Sequence, residues 1–285
     1  MAKSGNSDPR LELASLRREV RRLRSELNRL TPSLEVLLKR RGFKVYKKEP
    51  SIDLLLPADE FRDRYYSLLH KYSFRLFLRD LIQHQQSFTP EQVTRYSTLR
   101  TVKTYIAALV KAGMVEQYAG GFRLAAAPIV SFGPTLEWYV AELLHREFGA
   151  EVLWGVKFRR PNVGGDYDVI AKLDGKLLYL EVKSSPPKQI YDSEVAAFLE
   201  RVDDLAPETA VFLMDTELRM KDKLVPMFEQ ALAKRSDDPP PVMRVERELF
   251  SIEDRIFIVN AKESILQNIS DVVSRSIRGG AAGNY

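Results

Sequence analysis

The alternation of apolar and polar positions changes period several times along the chain. From Arg10 the period is helical. Leu13, Leu16, Val20, Leu23, Leu27 and Leu30 recur at spacings of three and four, a heptad seam of about two and a half repeats. Between them stand Arg17, Arg18, Arg21, Arg22 and Arg24, with Glu19 and Glu26. Two arrangements suit this segment: an amphipathic helix lying on its own domain, or a dimerising coiled coil, whose seam is narrow in this way. Thr31-Pro32 predicts a stop and a restart, with Thr31 as N-cap of a helix over Pro32–Arg41 and Gly42 just past its end. FKVYKKE and IDLLLP read as short strands.

Residues 60–84 keep a helical period, with Phe61, Tyr65, Leu68, Leu69, Tyr72, Phe77, Leu78, Leu81 and Ile82 on one side, and predict one long helix. Thr89-Pro90-Glu91 opens a short second helix through Tyr96. A third covers Leu99–Ala112, its core side carried by Leu99, Val102, Ile106 and Leu109. That leaves Arg100, Thr101, Lys103, Thr104 and Lys111 outside. MVEQYAGGFRLA then reads as a hairpin with Ala119-Gly120-Gly121 at its tip. Three helices followed by a hairpin resemble the winged helix-turn-helix family. The resemblance implies that the third helix enters a DNA groove, so Arg100, Thr101, Lys103 and Thr104 are candidate nucleic-acid contacts.

After the link Pro128–Pro134 the pattern becomes mixed. TLEWYVAELLHREFG predicts a helix capped by Thr135 and closed by Gly149. EVLWGVKFRR predicts a strand. DYDVIAKL and KLLYLEVKSS form two strands joined by Asp174-Gly175, a pair suited to a type I′ turn because both positions must reach φ > 0. Asp192 caps a helix through Leu205, TAVFLMD is a strand buried on both faces, and Arg219–Arg235 is a helix. SDDPPP is a break, RIFIVN a strand, and Lys262–Ile277 a final helix. Helices and strands in this order imply an α/β fold, a mixed sheet flanked by helices. The division expected is a tail at 1–9, a basic helical arm at 10–58, the winged-helix-like unit at 59–128, the sheet domain at 129–278 and a tail at 279–285.

Composition narrows the function classes. With 45% hydrophobic and 29% charged residues the chain is an ordinary soluble globular sequence. No apolar run is long enough to span a bilayer, and MAKSGNSDPR lacks the apolar core of a signal peptide. A cytoplasmic location without membrane contact is the expectation. Zero cysteines exclude disulfides, thiolate metal ligands and a cysteine nucleophile. The net charge of +5 is modest, but Arg10–Glu49 holds thirteen Lys or Arg against five Glu and no Asp, which suits a polyanionic partner as well as a solvated helix face. The three histidines, His70, His84 and His145, have no metal-ligand spacing. No GxxxxGK[ST] motif is present.

The candidate chemistry lies in the hairpin Gly164–Ser185. Strand alternation puts Glu181 and Lys183 on one face, and Asp168 on the neighbouring strand can reach it. Two carboxylates and an ammonium at the end of an apolar sheet are costly to bury unless paired or bound to a metal. Asp166 is one pleat from Asp168 and could stand in its place. Asp215 closes a buried strand at the same edge, where a helix-capping role is expected. A helix, a strand, GGDYDVIA, a hairpin, YLEVKSS, a helix and a strand in this order resemble the PD-(D/E)xK nuclease superfamily, the restriction-endonuclease-like fold, over residues 130–216. The resemblance implies that Asp168 and Glu181 bind Mg²⁺ or Mn²⁺ and that Lys183 orients or activates water. It also implies that Glu137 joins the metal and that Gln189 assists. Tyr167 stands where the family often has proline. Lys157, Arg159, Arg160 and Lys188 flank the hairpin as candidate phosphate contacts.

The reading that follows is a metal-dependent nuclease acting on nucleic acid, with double-stranded or branched DNA as the expected substrate. The winged-helix unit would target it, and a homodimer would form through the N-terminal helix. Two alternatives stand beside it: a catalytically silent DNA-binding protein with the same fold, and a scaffold whose arm and helical unit bind proteins.

Overall fold

The computed structural model of the chain describes residues 9–48, 53–125, 128–159 and 165–282. Residues 1–8 and 283–285, within the expected tails, lie outside the described residues, as does Arg160.

The arm begins as helix α1 (Pro9–Leu30) and continues as α2 (Leu34–Arg40). Ser33, not Thr31, caps α2, accepting the Val36 N–H, while the Thr31 hydroxyl turns back to the Leu27 carbonyl. The short stretch of chain between the helices gives Pro32 a place outside both. Strand β1 (Val45–Lys47) follows. Asp53–Pro57, the described part of IDLLLP, is not a strand. Leu55 there is buried, and its backbone is satisfied by side chains: its N–H donates to Thr135 Oγ1 and its carbonyl accepts from Tyr65 OH.

The long helix expected over 60–84 is two helices, α3 (Arg62–Leu69) and α4 (Tyr72–Gln83), broken at His70-Lys71. No Gly or Pro marks the break. The buried guanidinium of Arg75 stabilises it, donating from Nη1 to the carbonyls of Leu69 (2.6 Å) and His70 (3.2 Å) that a continuous helix would have used internally. Thr89-Pro90 opens a 3₁₀ turn, Pro90–Val93, rather than an α-helix through Tyr96. Helix α5 (Leu99–Lys111) is capped by Thr98, and the hairpin β2 (Val115–Tyr118) and β3 (Gly121–Leu124) follows. Gly121 sits at φ +139, and a Cβ there would lie 2.6 Å from the Phe88 carbonyl oxygen, so only glycine permits the Phe88–Phe122 bridge beside the hairpin.

Helix α6 (Gly133–Phe148) ends at Gly149 in the left-handed region, as the sequence predicts, but Thr135 is buried inside it rather than capping it. Strands β4 (Glu151–Phe158), β5 (Tyr167–Leu173) and β6 (Lys176–Lys183) form an antiparallel meander. Asp174 and Gly175 take φ of 50° and 78°, the backbone a type I′ turn requires. Helix α7 (Asp192–Leu205), strand β7 (Thr209–Met214) and helix α8 (Leu224–Ala233) come next, α8 starting later than expected. Two strands unforeseen in the sequence, β8 (Met243–Glu246) and β9 (Leu249–Ile252), precede β10 (Ile256–Asn260) and α9 (Ile265–Ala282). The backbone of α9 carries the helix past 277 into the expected tail.

All but the hairpin strands join one eight-stranded sheet in the order β1-β4-β5-β6-β7-β10-β9-β8. Strands β6, β7 and β10 run parallel at its centre, with antiparallel pairs on both flanks. Every residue of β7 is buried, as an apolar strand covered on both faces should be. The fold is therefore a mixed α/β sheet flanked by helices. Helices α2, α7 and α8 cover one face through Leu34, Leu38, Val195, Phe198 and Phe228. Helices α6 and α9 cover the other, and α3, α4 and α5 extend that same apolar core without a break.

Candidate functional site

The central strands β6 and β7 are parallel, with Glu181 beside Phe212 and Lys183 beside Met214 in register, so both leave the sheet at one edge. Glu181 is buried to 1% exposure because Leu180 and Val182 send their side chains to the opposite face and leave it among Tyr179, α7 and β5. Burial alone would raise the Glu181 pKa, but Lys183, Arg201 and the Tyr179 hydroxyl outweigh it and hold the carboxylate ionised, below its ordinary value. Its Oε1 accepts from Lys183 Nζ at 2.9 Å and from Arg201 Nη2 at 3.0 Å; its Oε2 accepts from Tyr179 OH. Arg201, on α7, also donates from Nε to the Tyr179 oxygen at 3.0 Å.

Asp168 lies on β5 beside this cluster. Its Oδ2 accepts the Val182 N–H at 2.7 Å, so the carboxylate takes the place of a ladder carbonyl between β5 and β6. Burial raises its pKa well above the ordinary value, the negative charges of Glu181 and Glu137 add to the rise, and the Val182 N–H and Lys183 oppose it. Glu137, one turn into α6, is pushed to about 7 by burial and by the charges of Glu181 and Asp166. Burial works to lower the pKa of Lys183, but Glu181, Asp168 and Glu194 together raise it, so the group stays an ammonium. Its second partner, Glu194 Oε1 on α7, is 3.3 Å away.

Asp168, Glu181, Lys183 and Glu137 thus lie within electrostatic reach of one another at one end of the sheet. Gln189 does not join them. It is exposed on the 3₁₀ turn Pro187–Gln189, and no described residue hydrogen-bonds its side chain. Asp166 is exposed and pairs with Lys157 at 2.7 Å, so Asp168 is the inward carboxylate of the two. Arg159 is exposed over the Tyr46 ring, and Lys188 is exposed beside Gln189. On α5, Arg100, Lys103 and Thr104 are exposed, while Thr101 is half-buried and bonded to the Thr98 hydroxyl at 2.9 Å. Asp215 does not cap a helix. It is fully buried and holds two arginines of α4: Arg75 Nε and Nη2, each 2.9 Å from Oδ1, and Arg79 at Oδ2.

Three residues of the cluster escape a reading of the sequence: Tyr179, Arg201 and Glu194. Tyr179 has a usable signal, since it shares the Glu181 face two residues earlier on the same strand. Arg201 and Glu194 sit on a later helix, where nothing local marks them.

Carboxylate oxygens with no His or Cys suit a hard divalent cation such as Mg²⁺ or Mn²⁺. The raised pKa values of Asp168 and Glu137 arise from buried negative charge, which a cation would relieve. As the side chains stand, no three His, Cys, Asp or Glu among the described residues are grouped to hold one ion. Both Glu181 oxygens are engaged by other donors.

No protein-family model matches the chain, and no curated protein matches it. Among solved structures, it is similar to protein VC1899 from Vibrio cholerae, at 18% identity and a TM-score of 0.43, over 68% of this chain and 54% of that one. It is also similar to Can2 from Sulfobacillus thermosulfidooxidans in complex with cyclic tetra-adenylate, at 17% identity and a TM-score of 0.40, over 62% of this chain and 49% of that one. The chain spans about half the length of each. Likenesses this distant carry no weight for what the chain does.

Proposed function

We propose that the chain is a metal-dependent nuclease of the PD-(D/E)xK kind, hydrolysing nucleic-acid phosphodiester bonds at the Asp168–Glu181–Lys183 edge. The observation that carries this reading is the crowding of carboxylates there, Glu181 fully buried and Asp168 and Glu137 half-buried. Glu137, Asp168 and Glu181 all face Lys183, Arg201 serves Glu181 alone of the three, and burial together with the charges of Glu181 and Asp166 drives Glu137 to about 7. A fold gains nothing from such crowding, whereas a cation site requires it.

Asp168 and Glu181 would hold the ion, with Glu137 as a third oxygen donor. The bound Mg²⁺ or Mn²⁺ would supply a hydroxide at neutral pH and take up charge on the phosphoryl oxygens. The residues of the chain do the rest. Lys183 keeps its proton because three carboxylates face it, so it acts as a fixed positive charge beside the phosphate and not as a general base. Arg201 and Tyr179 orient Glu181, and one of its present donors would have to give way for Glu181 to hold an ion. Val182 N–H fixes the Asp168 carboxylate against the sheet. The helices and hairpin over 59–128 would act as a winged-helix targeting unit, with Arg100, Lys103 and Thr104 of α5 toward the nucleic acid.

The engagement of both Glu181 oxygens favours a second reading, a protein that binds DNA through the same fold and does not cut. One experiment separates them. Supercoiled DNA, single-stranded DNA and RNA are incubated with the protein and Mg²⁺ or Mn²⁺, beside Glu181→Gln, Lys183→Ala and Asp168→Ala. Cutting by the parent that falls at least about 100-fold in each folded variant supports the nuclease. Absence of cutting on every substrate, with binding retained in EDTA, supports the silent form. Equal cutting by Glu181→Gln refutes the site.

A further inference from the structure

We propose that α1 is one strand of a parallel, in-register, two-stranded coiled coil formed with a second copy of this chain. The first observation is an apolar stripe that no described residue buries. Leu13, Leu16, Val20, Leu23 and Leu27 are 47–60% exposed, whereas Leu34 and Leu38 on the next helix are fully buried. A helix that lay on its own domain would have covered them.

The second is the spacing. Intervals of three and four put Leu13, Val20 and Leu27 at heptad position a, and Leu16, Leu23 and Leu30 at position d. A period of 3.5 keeps this seam facing a partner along its length, and leucine at each of these d positions with a β-branched valine in the middle a layer favours two strands.

The third observation selects the occupant and its direction. In this register every g position is acidic, Glu12, Glu19 and Glu26, and every e position within the helix is basic, Arg10, Arg17 and Arg24. In a parallel pair, g of one strand faces e of the next heptad on the other. Glu12 then meets Arg17 of the second copy and Glu19 meets Arg24, and both contacts repeat by symmetry. In an antiparallel pair g faces g and e faces e, which sets acid against acid and arginine against arginine. Arg18, Arg21 and Arg22 fall at f, b and c, outside the seam, and Arg22 holds Glu19 at 2.6 Å and Glu26 at 3.3 Å along its own helix. Charges arranged this way suit a second copy of the same sequence and discriminate against the reversed pairing.

Direction has a consequence. A helix of 22 residues is about 33 Å long. Antiparallel arms would carry the two sheets away from opposite ends. Parallel arms release both chains at Thr31 on the same end, so two candidate sites lie side by side about one two-fold axis.

The test uses the full chain. Sedimentation equilibrium from about 1 µM to about 100 µM should give twice the 32.7 kDa chain mass at the upper end, with reversible dissociation below, since the seam is short. Val20→Glu should weaken association at least about 100-fold while leaving the thermal unfolding of the sheet domain unchanged. Arg17→Glu with Arg24→Glu should weaken it about 10-fold or more, and high salt should reduce that penalty. Because the chain has no cysteine, Pro9→Cys, at the d position preceding Leu13, reports direction alone. Mild oxidation should cross-link the parallel dimer rapidly, and Val20→Glu in the same chain should abolish the cross-link. A monomer at every concentration overturns the proposal. So does a dimer that Val20→Glu leaves intact, or one that Pro9→Cys fails to cross-link.

Discussion

Two carboxylates on neighbouring parallel strands are buried to the same depth and surrounded in opposite ways. Asp215, just past the end of β7, is 0% exposed, and Glu181, on β6, is 1% exposed. Asp215 stands against two guanidiniums from one helix, with each oxygen occupied and the strand held to α4. Glu181 also has its donors, but Asp168 and Glu137 crowd one of them, Lys183. The pKa values then split, Glu181 falling while Asp168 and Glu137 rise. Local pairing completes the first cluster and leaves the second with surplus negative charge. That difference marks one as a clamp of the fold and the other as the candidate site.

The clamp makes the largest prediction. Asp215→Ala leaves Arg75 and the inner part of Arg79 without their carboxylate, and breaking a buried pair this way costs about 3–5 kcal/mol. Urea unfolding of the metal-free protein measures it. The same substitution should loosen α4 from the β6–β7 edge, because the Asp215 carboxylate is what Arg75 and Arg79 hold there. A loss below about 1 kcal/mol, the range of exposed pairs, would end the distinction between the two carboxylates.

The clamp is also the less legible of the two in the sequence. Asp168, Glu181 and Lys183 declare themselves through strand alternation and a two-residue turn, both local signals. Asp215 pairs with residues 136 and 140 positions away, and the helix-capping role expected of it rests on the only neighbours the sequence displays. The break at His70-Lys71 is hidden in a related way: Arg75 closes it from five and six residues along the chain while distant Asp215 holds the guanidinium, and no Gly or Pro announces it. Strands β8 and β9 are hidden because MRVE is largely exposed and charged, and the turn between them uses Arg247 at φ 46° where glycine or asparagine would have been the signal. The apolar runs of β7 and β10, by contrast, are plain in the sequence, since burial on both faces leaves few other readings.

The crowded cluster makes the second prediction. In EDTA, Glu137 holds its proton in the folded protein up to about 7, while the unfolded chain releases it near 4.5. Between those values the native state binds more protons, so stability falls as pH rises through the window. The loss is of order 1–3 kcal/mol. Glu137→Gln should remove that part of the pH dependence and leave the protein more stable than the parent at pH 8, the opposite of what Asp215→Ala does. Paired urea titrations at pH 4.5 and pH 8 decide it, and parallel profiles for parent and variant would mean that Glu137 is not crowded.

The smallest effect on the fold belongs to charge that neither cluster uses. Arg100 and Lys103 project from α5 into solvent, and no described residue forms an ion pair with either. Replacing both with alanine should change stability by less than about 0.5 kcal/mol. If α5 faces nucleic acid, the same change weakens DNA binding across unrelated sequences. It also lowers the slope of log K against log salt by up to about 2, one for each phosphate left without its cation. Fluorescence anisotropy from 50 to 200 mM salt, as approximate limits, measures that slope. An unchanged slope with unchanged affinity would remove α5 from the interface. The candidate site would then have to draw its substrate in through the basic arm, whose arginines at b, c and f stay outside the seam.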